Sequence, residues 1–72
     1  MSDKKQEQTA IGLIIEALPN AMFRVQLEGK EDLMIAYLSG KMRKFKIKVL
    51  IGDKAEVLLD PYGGKGRIIR RL

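Results

Sequence analysis

Leu18-Pro19-Asn20-Ala21-Met22-Phe23-Arg24-Val25-Gln26-Leu27 is the stretch from which the fold is read. Pro19-Asn20 suits a turn, because proline presets the backbone for a first turn position and asparagine tolerates a left-handed one. Beyond it Phe23, Val25 and Leu27 alternate with Arg24 and Gln26. That two-residue period is the mark of a strand with one buried and one wet face. Upstream, residues 11–18 are apolar and rich in β-branched side chains. They read as a first strand leading through the turn into a second, half-buried one over residues 22–27.

Working outward, Glu28-Gly29-Lys30-Glu31-Asp32 is a polar loop, and Leu33 to Leu38 reads as a third strand. The segment after it fits two periods. Met42, Phe45 and Val49 make a helical stripe, while Phe45, Ile47 and Val49 alternate with Lys44, Lys46 and Lys48 as in a strand. With Ser39-Gly40 suited to a helix N-cap, we read one or two helical turns from Ser39 to about Lys44, then extended chain. Gly52-Asp53 is a turn, and Lys54 to Leu59 a fourth strand with Ala55, Val57 and Leu59 on one face. Asp60-Pro61-Tyr62-Gly63-Gly64-Lys65-Gly66 is a loose loop. Arg67 to Leu72 is a fifth strand, with Arg67 and Arg71 on one side and Arg70 on the other. Residues 1–9, without an apolar residue after Met1, are expected to form a flexible tail before a single domain over 10–72. An all-β chain of five short strands, with a short helix between strands three and four, suggests a small closed or nearly closed barrel. The five-stranded OB-fold is the barrel of that class whose strand two and three face and loops bind oligonucleotides; an open five-stranded sheet has a similar pattern.

Composition removes most chemistry. The chain has 72 residues, no Cys, no His and no Trp. Triads and dyads built on His or Cys are therefore impossible, as are disulfides and the usual nitrogen and sulfur zinc site, and no cofactor is called for. Glu16, Asp53, Glu56 and Asp60 have neither the spacing nor the partners of a carboxylate pair for acid/base work. The polar start Met1-Ser2-Asp3-Lys4-Lys5-Gln6 has no apolar signal core behind it, and the longest apolar run, Leu33 to Leu38, falls well short of the roughly 20 residues that span a bilayer. A soluble cytosolic protein without a membrane partner is expected.

The net charge of +5 is unevenly spread. Residues 1–40 carry four cations against six carboxylates, or −2, and residues 41–72 carry ten against three, or +7. Within the basic part, Lys41-Met42-Arg43-Lys44-Phe45-Lys46-Ile47-Lys48 holds five cations, and Lys65, Arg67, Arg70 and Arg71 form a second group. Such density is the electrostatic footprint of a nucleic-acid binder, whose Lys and Arg displace counterions from phosphates. A solvated face is the plainer alternative. An interfacial membrane helix would need a longer apolar face than this segment has.

Gly12-Leu13-Ile14-Ile15-Glu16-Ala17-Leu18-Pro19-Asn20-Ala21-Met22-Phe23-Arg24-Val25, Ser39-Gly40-Lys41-Met42-Arg43-Lys44, Gly52-Asp53-Lys54, Pro61-Tyr62 and Gly66-Arg67-Ile68-Ile69 together resemble, in order and spacing, the bacterial translation initiation factor one family. The resemblance runs from about Gly12 to Arg70. It implies an OB-fold monomer without catalytic activity that binds the small ribosomal subunit at the decoding centre. There, in the A site, such a factor contacts 16S rRNA and a neighbouring ribosomal protein, keeps aminoacyl-tRNA out and assists the two larger initiation factors. A bacterial cytoplasmic location is expected ahead of a plastid one. Tyr37 stands where the family commonly has histidine, the loop after strand two is slightly longer and the Pro61-Tyr62 loop slightly shorter, and Phe45 stands one place ahead of the usual aromatic, followed by Lys46.

The same resemblance assigns Lys41, Arg43 and Lys44 to rRNA phosphates, in agreement with the charge count. Arg24 and Gln26 lie opposite the core face of strand two, where an OB-fold presents its binding surface. Lys46, Lys48, Lys65, Arg67, Arg70 and Arg71 are further candidates for phosphate contact. Tyr37 and Tyr62 are candidate base-stacking platforms, although with so few aromatics one of them is expected to plug the core together with Phe23. The rival function is a single-stranded RNA or DNA chaperone of the cold-shock type. That class depends on several exposed aromatics on strands two and three, where this chain has Phe23 and Tyr37.

Overall fold

The computed structural model describes residues 8–72. They form β1 (Thr9–Leu18), β2 (Met22–Leu27), β3 (Leu33–Leu38), α1 (Gly40–Lys44), β4 (Lys54–Leu58) and β5 (Gly66–Arg71). The alternation of β2 is realised in three dimensions: Phe23, Val25 and Leu27 are buried, with Arg24 and Gln26 on the other face. The strands hydrogen-bond in the order β1-β2-β3-β5-β4 and the sheet closes on itself, so the molecule is the OB-fold barrel and not the open sheet. Pairings are antiparallel except between β3 and β5, where Tyr37 lies beside Arg67 in parallel register.

Closure requires β1 to serve two partners. Its residues from Gly12 onward pair with β2, and those from Thr9 to Leu13 pair with β4. Gly12 lies where the two ladders overlap, and a Cβ there would collide with Val25 Cγ1. An extra residue, Ile15, bulges out between Ile14 and Glu16 and increases the local bend. Gly66 permits a similar close approach at the start of β5, where a Cβ would stand 2.6 Å from Val57 Cγ1 and 2.8 Å from Met34 Cε.

Inside the barrel Ile14, Phe23, Val25, Leu27, Ala36, Ala55, Val57 and Ile68 form the core with Met42 and Val49, and Ala10, Met34, Leu38 and Leu59 pack against it. Burial of each large side chain contributes about 1.5–3 kcal/mol. Neither tyrosine joins them. Tyr37 is half-buried on the outer face of β3 and Tyr62 is 91% exposed, so Phe23 is the sole aromatic in this core, against the expectation of a tyrosine plug.

Strand boundaries differ from the sequence reading in β1, β4 and β5. Thr9 already opens β1 opposite Leu58, and the Gln8 carbonyl accepts from Leu59 N–H at 2.8 Å. The rest of the tail expected over 1–9, residues 1–7, lies outside the described residues. β4 ends at Leu58 and β5 begins at Gly66. A second bulge, at Ile69, changes the phase of β5: Arg70 pairs with Glu56 whereas Ile68 pairs with Val57. Arg67 and Arg70 therefore share the outer face and Arg71 falls on the other, which corrects the expected grouping of Arg67 with Arg71. A strict two-residue alternation has no place for the inserted residue.

The short helix is set at both ends. Ser39 is its N-cap: Oγ accepts from Met42 N–H at 3.2 Å, while the Ser39 N–H donates to the Ile68 carbonyl at 3.0 Å and ties the helix start to β5. Met42 is the one helix residue that reaches the core. At the other end Lys46 takes φ +56°, its N–H donates to Arg43 O at 3.1 Å, and Ile47 N–H donates to Met42 O at 2.9 Å. This pair of bonds through a left-handed residue closes a helix and reverses the chain, so the extended run expected after Lys44 begins with a reversal.

Asn20 and Ala21 also have left-handed backbones, φ +65° and +56°, in the turn between β1 and β2. For alanine that conformation costs about 1–2 kcal/mol through its Cβ. Ala21→Gly is expected to stabilise the fold by about 0.5–1 kcal/mol after the added chain entropy of glycine is subtracted, raising Tm by about 3–6 °C in thermal unfolding.

Candidate nucleic-acid interface

Eight of the expected contact residues come from two neighbouring pieces of chain, α1 with the loop after it and the outer face of β3 and β5. In α1 the burial of Met42 turns its flanking residues outward, so Lys41, Arg43 and Lys44 are all exposed. The reversal at Lys46 then keeps Lys46 and Lys48 on the same short stretch of surface, both exposed, before Val49 returns to the core. The Asp53 carboxylate accepts from Leu50 N–H at 2.9 Å, and the backbones of Gly52 and Asp53 bond to Ile14 at 2.8 and 2.9 Å. With Ser39 bonded to β5 at its start, both ends of the cationic loop are held to the barrel.

Among the described residues the ion pairs are Arg24 with Glu16 at 3.2 Å, Lys54 with Glu28 at 3.6 Å and Arg70 with Glu56 at 2.8 Å. None takes a cation from the α1 loop. Five positive charges on adjacent exposed positions repel one another in the isolated protein, and a polyanion relieves that repulsion. Arg24 and Arg70 are different. The Ile15 bulge brings Glu16 opposite Arg24, and the Ile69 bulge brings Glu56 opposite Arg70, so each arginine has a carboxylate neighbour on its own face. Their fields are partly cancelled, and a phosphate would have to compete for them. Strand alternation alone predicts neither pairing, because a bulge is needed to align them.

On the outer face of β3 and β5, Arg67 lies over the Tyr37 ring with its guanidinium carbon 5.9 Å from the centroid. Such a contact is worth about 0.5–1 kcal/mol at an exposed site. Tyr37, Arg67 and Lys65 line a depression of about 230 Å³ with Leu58, Leu59, Asp60 and Pro61. The adjoining loop is shaped by Asp60, whose carboxylate accepts from Tyr62 N–H at 3.0 Å and Gly64 N–H at 2.8 Å. Tyr62 therefore stands on an ordered turn with its ring in solvent. Arg71, turned to the other side by the bulge, donates from Nη1 to the Lys48 carbonyl at 3.2 Å and joins the end of β5 to the α1 loop.

Between α1, its loop and the barrel wall runs an open groove of about 510 Å³ with a floor of Phe23, Leu38, Met42 and Val49, and Arg43, Lys46 and Lys48 along its sides. Ile47 and Leu50 complete the lining. Either period of the sequence predicts an inward Phe45. It is instead 61% exposed, because the helix ends beneath it, and the Lys44 ammonium sits 5.8 Å from its ring centroid.

Comparison with known proteins adds the identity of the family. The family model described as "Translation initiation factor 1A / IF-1" matches residues 1–72. The chain is 49% identical to the chloroplastic translation initiation factor IF-1 of Coffea arabica over 96% of its own length and 90% of that protein. It is likewise 49% identical to the chloroplastic IF-1 of Glycine max over 97% of its own length, though there it spans only 52% of the relative. Among solved structures, translation initiation factor IF-1 from the wolbachia endosymbiont of Brugia malayi superposes with a TM-score of 0.76 at 42% identity, covering 94% of this chain and 80% of that one. YjeQ from Thermotoga maritima has the same TM-score at 26% identity, with 90% of this chain matching 23% of it. Chloroplastic factors and a bacterial endosymbiont's factor thus both stand among these relatives, which is partly at odds with the expectation that ranked bacterial cytoplasm ahead of a plastid. With a whole-chain family match and relatives of nearly half-identical sequence, the chain belongs to the translation initiation factor 1A / IF-1 family.

Proposed function

We propose that the protein acts in translation initiation by occupying the A site of the small ribosomal subunit at the decoding centre, with its α1 loop on 16S rRNA and a ribosomal protein beside it. Its action is occupancy: it keeps aminoacyl-tRNA out, assists the two larger initiation factors, works as a monomer and makes or breaks no bond. The observation that carries this reading is the α1 loop, where Lys41, Arg43, Lys44, Lys46 and Lys48 are exposed together on a segment anchored at both ends. Anchoring matters because a cation already in place loses less entropy on meeting a phosphate than one on a mobile tail. Tyr37 with Arg67, and Lys65 beside them, extend the surface on the β3 and β5 side, with Tyr62 on the neighbouring turn.

Chemical footprinting of 16S rRNA in small subunits tests the proposal. Protection at the decoding centre, weakened as salt is raised, is the expected result. Absence of protection there would sink it, and equal affinity for an unstructured oligonucleotide would favour the cold-shock type of chaperone. Replacement of Arg43 and Lys44 together by Ala is expected to weaken subunit binding by about 10- to 100-fold and to lower the salt slope by about two, with Tm unchanged because both side chains are outside the core. Lys46→Gly separates strain from contact. Glycine relieves the left-handed backbone and raises Tm by a few degrees, while loss of the ammonium lowers subunit affinity; thermal unfolding and a binding titration measured on the same preparation read the two opposite signs.

A further inference from the structure

We propose that Phe45 is a stacking platform for an unpaired RNA base, an inference that rests on the α1 loop being an RNA-contacting surface. The chain has two Phe and two Tyr, and its other phenylalanine is in the core. Leaving a phenyl ring 61% exposed gives up burial that the fold would otherwise gain, so the ring calls for a partner outside the chain. Its position is well defined. Phe45 is the C-cap of α1, its N–H bonded to the Lys41 carbonyl at 3.0 Å, and the next residue is locked by the reversal. A ring held on such a base loses little freedom when a planar group settles on it.

The surroundings select a nucleotide. Each nucleotide presents one flat base and one phosphate, and here one aromatic ring stands between Lys44 and Lys46, with the Lys44 ammonium 5.8 Å from its centroid. An ammonium beside the ring meets the phosphate while the ring meets the base, the combination that single-stranded nucleic acids find on their binding proteins. Phe45 also stands apart from the neighbouring apolar groove, which Ile47 and Leu50 line and it does not. A ring meant for a protein's apolar side chain would gain by joining that groove. Stacking needs only an open face, and bases splayed from an RNA fold supply the partner.

The test uses Phe45→Leu and Phe45→Trp in the full chain with purified small ribosomal subunits. Leucine keeps an apolar side chain but has no π face, and since the ring is outside the core Tm is expected to stay within a degree or two of the parent. Phe45→Leu is expected to weaken subunit binding by about 5- to 100-fold. Phe45→Trp is expected to keep parental affinity, and as the chain otherwise lacks tryptophan, the difference in emission between the variant and the parent, each with subunits, reports that site. Quenching at saturation is the expected sign of a stacked base. Binding by Phe45→Leu within twofold of the parent overturns the proposal. So does a Trp emission that shifts to the blue without quenching, which assigns the ring to a ribosomal protein, or one that does not change. Failure of the parent protein itself to bind subunits is a separate result that removes the reading of the whole surface.

Discussion

A five-stranded sheet has two edges of unpaired backbone, and this chain satisfies both by pairing β1 on either side, with β2 and with β4. The rest of the structure depends on that double pairing. A strand that joins two halves of a barrel must bend where it leaves one partner for the other, and the chain meets the requirement with Gly12, closely approached by Val25, and with the bulge at Ile15. Closure removes the edges that would otherwise pair with other chains, and it leaves the interior room for a compact set of small and branched side chains such as Ala36, Ala55, Val57 and Ile68.

Closure also determines where the charge goes. β3 and β5 run parallel, and parallel neighbours cannot be joined by a tight turn, so the chain must leave the sheet between them. It does so through α1 and the α1 loop, and rejoins the sheet as β4 before β5. Within that excursion Met42 and Val49 enter the core while the Lys and Arg between and beside them cannot, because burial of an unpaired cation costs far more than the barrel gains. The cations are thus displaced onto one outward loop, and Ser39, bonded to both β5 and the helix, sets its starting direction. In this member of the translation initiation factor 1A / IF-1 family the loop is a dense cationic surface on a rigid support.

The strands were legible because half-buried strands alternate: β2 and β3 have the limits read from the sequence, and Ala55 and Val57 face the core as expected. The basic cluster was legible because charge is counted without knowing any coordinates. The pairing of Arg24 with Glu16 and of Arg70 with Glu56 was hidden, since each depends on one inserted residue that breaks the period. Phe45 misleads for a related reason. Its apolar side chain satisfies a helical stripe and a strand alternation equally, and neither applies where the helix stops at Lys44 and Lys46 turns left-handed. Tyr37 and Tyr62 were ambiguous between core and surface until the small volume enclosed by the barrel was filled by Phe23 and the aliphatic residues.

The sequence by itself determined that this is a small β protein without His or Cys chemistry, with an excess of cations from Lys41 onward, since composition, period and charge are properties of the chain alone. Tertiary structure decided which of those cations stand unopposed among the described residues and which face a carboxylate, and which aromatic rings face water. Those outcomes depend on register between strands distant in sequence, and a bulge of a single residue is enough to reverse them.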